Sequence, residues 1–69
     1  MSEHEVVQAI GPPDAVYEPS QEKEVYRTYV TKPLIPSKGQ MWTYDIWMYR
    51  LVVHFGKDHR VAYVVLTYT

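Results

Sequence analysis

The sequence predicts an α+β domain, a short N-terminal helix packed on a three- to four-stranded antiparallel sheet. Three observations predict it. Residues 49–68 read as one β-hairpin, rich in valine, leucine and aromatic residues on both faces. Ser2-Glu-His-Glu5 is a helix start signal, and Gly11-Pro12-Pro13 is a stop. Residues 24–31 and 42–49 carry the β-branched and aromatic content of further strands.

The helix is expected from Glu3 to Ile10. Ser2 can accept from the amide of Glu5, and Glu5 can reach back to the amide of Ser2, which is a capping box. Met1 and Val6 have the spacing of a hydrophobic staple across that cap. Glu3 and Glu5 lie where the helix dipole favours negative charge. A helix of this length is unstable alone, so Val6, Val7 and Ile10 must dock on the sheet. Residues 12–23 read as a connection with Val16 and Tyr17 as anchors. Residues 32–40 hold two prolines and a glycine and read as a loop.

The last strands contain a phase change. Trp42, Tyr44 and Ile46 alternate in one phase, and Tyr49, Leu51, Val53 and Phe55 in the other. A bulge or a tight turn near Ile46-Trp47-Met48 must absorb it. The final hairpin is expected to turn through Lys57, Asp58 and His59. That register sets Gly56 against Arg60, Phe55 against Val61, Val53 against Tyr63 and Leu51 against Val65. The opposite face is then Met48, Val52, His54, Ala62, Val64, Leu66 and Tyr68.

Sixty-nine residues make one small domain, spanning residues 1–69, with marginal stability. The chain has no cysteine, which excludes disulfides, thiolate metal sites and a cysteine nucleophile. Its net charge of −1 provides no strong field for nucleic acid or anionic membranes. The N-terminus lacks the apolar segment of a signal peptide. No apolar run is long enough to span a bilayer. A cytoplasmic location is expected, or a periplasmic one if a leader has been removed.

The spacing Val6-Val7-Gln-Ala-Ile-Gly11-Pro-Pro13, then Trp42-x-Tyr44, then Leu51-x-Val53-x-Phe55-x-x-Asp58-x-Arg60-Val61 resembles the SmpA/OmlA family. That resemblance implies helices packed on a three-stranded antiparallel sheet and a role in outer-membrane β-barrel assembly. The family's hairpin turn has an acidic residue where Gly56 stands and a glycine where His59 stands. His59 would therefore take a left-handed conformation. The family's lipid-bearing cysteine has no counterpart here.

Catalysis finds little support. His4, His54 and His59 fall on a helix, a strand and a turn, and ligands for a metal must converge. Ser2, Ser20 and Ser37 lie at a cap or in loops rather than at a strand-to-helix elbow. Glu18, Glu22 and Glu24 read as a solvated stretch. No enzyme activity, cofactor or metal is expected. Two binding readings remain. Met48, Val52, Val64, Leu66 and Tyr68 would form an apolar stripe for a protein partner or a second copy. Strand addition at a free edge is a second mode of the same reading. Its competitor is residues 12–23 folding over that face. The other reading is single-stranded nucleic acid stacked on Tyr44 and Trp47, with Arg27 and Arg50 on the phosphates.

Overall fold

The computed structural model describes residues 1–26 and 38–68. The elements are α1 (Glu3–Ile10), β1 (Ala15–Tyr17), a 3-10 turn at Pro19–Gln21, α2 (Glu22–Val25), β2 (Met41–Ile46), β3 (Tyr49–Phe55) and β4 (Val61–Tyr68). The four strands pair antiparallel in chain order, β1-β2-β3-β4. This is the predicted α+β class, with α1 on one side of the sheet and α2 on the other.

The N-terminal cap forms as its residues require. Ser2 Oγ accepts from the Glu5 amide at 3.3 Å, and Glu5 Oε1 accepts from the Ser2 amide at 3.0 Å. That amide holds the Glu5 carboxyl below the usual carboxylate range. The helix stops at Gly11, whose φ of 86° only glycine adopts without strain.

Docking of α1 is thinner than its pattern suggests. Val6 is buried, but Val7 and Ile10 are exposed. Polar contacts hold the helix at both ends instead. The Val61 amide donates to the Met1 carbonyl at 2.7 Å, and Ser2 bridges to Arg60. Glu3 meets His59 Nδ1 at 2.8 Å. At the far end the Tyr44 hydroxyl donates to the Gly11 carbonyl at 2.9 Å.

The connection after α1 is more ordered than a loop. Ala15–Tyr17 pairs with Met41–Thr43 as the edge strand β1. Val16 points outward, while Tyr17 packs on the core. The strand expected over residues 24–31 is not one at its start. Glu24 and Val25 belong to α2, and Tyr26 follows as a bend. Residues 27–31 of that expectation, Arg27 among them, lie outside the described residues.

Both turn questions have an answer. The phase change is a tight turn, with Ile46 paired to Tyr49 and Trp47 in the left-handed region at φ 54°. The last hairpin turns at Lys57-Asp58-His59. His59 has φ 61°, and the Gly56 amide donates to Arg60 O at 2.9 Å.

The predicted register holds at Phe55↔Val61 and then slips by one residue. A bulge at Ala62 places Tyr63 opposite His54, Val64 opposite Val53, Val65 opposite Val52 and Leu66 opposite Leu51. One extra residue exchanges the two faces of β4 beyond the bulge. Tyr63 and Val65 therefore leave the helix side, where they were expected, and Val64 and Leu66 take their place.

Two cores result. On the helix side Val6 packs with Trp42, Tyr44, Val53 and Phe55, supported by Leu51 and Val61. Trp42 and Phe55 meet edge to face with ring centroids 4.7 Å apart. On the other side Val25 and Tyr26 cover Met41 and Val52, with Tyr17 and Val65 at the margin. The second face is thus covered by residues of the 17–26 segment.

Candidate protein-binding surface

The register slip redistributes the expected apolar stripe. Val52 is 0% exposed, sealed beneath Val25 and Tyr26 on the α2 side, so it is not a contact residue. Met48 is exposed but lies in the β2–β3 turn. Tyr68 ends the ladder opposite Tyr49. Val64 and Leu66 remain, exposed at 52% and 64%, and they now lie on the helix side.

There Val64 lines a groove of about 230 Å³, and Leu66 lies beyond it on the strand, paired with the lining residue Leu51. Leu51, Val53, Val61 and Val64 form its floor, and Met1, Val6, Ala9 and Ile10 its wall. The groove exists because α1 is seated through one buried side chain. Val6 reaches the sheet, Ala9 is too short to fill the gap, and Ile10 stays 51% exposed. Ala9 and Ile10 lie three and four residues beyond Val6, so their shared helical stripe is legible in the sequence. That the stripe would stand partly off the sheet is not.

Among the described residues the expected aromatic platform is not assembled. Tyr44 is buried on the helix side, where burial pushes its phenol up. Trp47 is 82% exposed at the turn, near Tyr49. Arg50 is occupied elsewhere: its Nε donates to Asp45 Oδ1 at 2.8 Å, and its Nη1 to the Val25 carbonyl at 3.3 Å. The hydrogen bond to Asp45 raises the guanidinium further above its ordinary value.

A polar cluster lies beneath α2 that the strand reading of residues 24–31 could not reveal. His54 is 1% exposed. Its ring stacks on Tyr63 with centroids 4.2 Å apart, and its Nε2 is hydrogen-bonded to the Tyr26 hydroxyl. Burial lowers the imidazole pKa, against the opposing field of Glu22. Burial also raises the Tyr26 phenol pKa well above its ordinary value. A phenol that keeps its proton beside a neutral imidazole is a stable buried pair.

Among the described residues no three histidine, aspartate or glutamate side chains converge as metal ligands would. No described helix is long and apolar enough to cross a membrane. Searches against protein-family models, curated proteins and solved structures find no match to this chain.

Proposed function

We propose that this chain is a non-catalytic protein-binding module whose contact surface is the helix side of β4 and the groove beside it. One observation carries the reading: Ile10 and Val64 stay exposed on a groove lined only by apolar side chains, and Leu66 stays exposed beside it, paired with the lining residue Leu51. Contiguous exposed apolar surface marks an interaction site. The lining offers no acid, base or nucleophile for chemistry. The SmpA/OmlA resemblance would set such a module in outer-membrane assembly, and a cytoplasmic adaptor would use the same surface.

Affinity retrieval and sedimentation of wild-type chain beside two exposed-residue variants test this reading. Association, with itself or with another protein, should fall at least tenfold in Leu66→Lys and persist in Trp47→Ala. The opposite pattern, association lost in Trp47→Ala and intact in Leu66→Lys, would move the contact to the turn and overturn the proposal. So would a chain that associates with nothing.

A further inference from the structure

The cover that α2 gives its side of the sheet is slight. α2 is a single turn, Glu22–Val25, and no side chain caps its start. Val25 and the Tyr26 that follows it lie on Met41 and Val52. Two polar contacts join them to β3. Arg50 Nη1 donates to the Val25 carbonyl, and the Tyr26 hydroxyl is hydrogen-bonded to His54 Nε2. The chain just before α2 is tied down separately. The Glu18 amide donates to Gln21 Oε1 at 2.9 Å, and Gln40 Nε2 donates to Glu18 Oε1 at 3.3 Å.

Two polar side chains are buried on the face that this turn covers, and both are penalised there. His54 is almost fully buried, with the rings of Tyr26 and Tyr63 near-parallel to its own. Thr43 is fully buried opposite Val52, and its hydroxyl has no hydrogen-bond partner among the described residues. A buried hydroxyl without a partner costs free energy that contact with water would restore. A protonated His54 would cost more, and it could no longer accept a proton from Tyr26 at Nε2.

We infer that α2 and Tyr26 form a flap that acid lifts from the sheet while the helix-side core stays closed. The 3-10 turn at Pro19–Gln21, held through Glu18, is its hinge. This device goes beyond the binding surface on the helix side and does not depend on it. The groups around His54 favour it. On α2, Glu22 alone supports the charged ring, and burial outweighs it, while Lys23 and Glu24 are exposed. Met41 stands opposite His54 on β2, and β4 contributes Tyr63. Arg50 shares the face on β3 with its charge paired to Asp45. Residues 27–37 add Arg27 and Lys32 to the sequence but no carboxylate. Under the flap the His54 pKa lies below its ordinary 6.5, and lifting the flap restores it. The open form therefore takes up the proton first, and opening grows as pH falls below 6.5.

Because the chain has no cysteine, single introduced thiols can report the opening. Val25→Cys places a thiol under the flap, Val53→Cys one in the helix-side core and Trp47→Cys one in the open. Labelling of the last corrects the other two for the thiol's own pH dependence. Between pH 7.5 and pH 5, corrected labelling at Val25→Cys should rise about fivefold or more, and Val53→Cys should stay protected. A parallel rise at both sites means that acid unfolds the whole domain, and it overturns the flap. So does an unchanged Val25→Cys. Adding Thr43→Val to Val25→Cys removes the orphaned hydroxyl and should slow labelling about threefold or more at either pH. Labelling that is not slowed overturns the part given to Thr43. The wild-type chain supplies a test without substitution. By NMR its His54 and Tyr26 ring protons should shift with a common midpoint below pH 6.5. A Tyr26 ring that keeps its shift while His54 takes up a proton means that the closed form accepts the charge, and the flap is overturned.

Discussion

Burial of an imidazole penalises its charged form, and His54 makes this chain's stability depend on pH through that penalty. Its pKa is lowered in the folded state from an ordinary 6.5, because burial outweighs the field of Glu22. The Tyr26 and Tyr63 rings that face it carry no charge to offset the loss. Above pH 6.5 neither the folded nor the unfolded chain protonates His54, and its contribution to stability is complete. As pH falls from 6.5 toward the depressed folded value, the unfolded chain takes up a proton that the folded chain refuses. Stability should then drop by up to about 1.4 kcal/mol per pH unit. Denaturant unfolding at a series of pH values, with the His54 ring followed by NMR, checks this. A His54 that is already protonated at pH 6.5 in the folded chain contradicts it. The sequence shows a histidine in a strand but cannot show this environment, because the cover comes from Tyr26, which a local reading places in a strand of its own. Gly39 is similarly silent in sequence. A Cβ there would lie 2.5 Å from the Phe55 and Gly56 carbonyl oxygens, so only glycine lets the chain approach the β3 end.

Elements differ in how much of their form is local. The cap of α1 was legible because every atom it needs lies within four residues. The turn at residues 57–59 was legible for the same reason, while the left-handed His59 was expected only from the resemblance, not from its own residues. The bulge at Ala62 was not, since no glycine or proline marks it and it is set by how β4 must satisfy two cores at once. It places Tyr63 on His54 and Val65 on Val52 while keeping Val61 beneath the helix. Its consequence for the candidate site is large, because it moves Val64 and Leu66 to the groove side and leaves Val52 sealed. The cap gives a prediction at this scale. Ser2→Ala removes the acceptor for the Glu5 amide and should destabilise by about 1 kcal/mol. The loss should appear as faster amide exchange through Glu3–Ile10, and in the Val61 amide, which Met1 holds just ahead of the cap. Exchange unchanged at Val61 would mean that the stub and the helix open independently.

At the scale of the whole molecule, the sheet is the layer that both cores share among the described residues. Phe55 and Val53 project to the α1 side, and Val52 and His54 from the same strand to the α2 side. A chain of this length has on the order of 3–10 kcal/mol of stability in all. Phe55 is almost fully buried against Trp42, and Phe55→Ala should cost about 3–5 kcal/mol in lost transfer energy and cavity. That loss is comparable with the total, so the variant should be largely unfolded or close to it. The more informative outcome is on the opposite face. Because β3 carries both cores, loosening it from the helix side should release Val25 and Tyr26 as well. In a Trp47→Phe background, Trp42 fluorescence reports the α1 side, and the ring-current shifts between His54 and Tyr63 report the α2 side. Under denaturant the two signals should change together in wild type, and both should move to lower denaturant in Phe55→Ala. A Trp42 transition that moves while the His54–Tyr63 signal keeps its midpoint would mean that the α2 side folds without the helix-side core. The sheet would then join two separable units instead of carrying one cooperative fold.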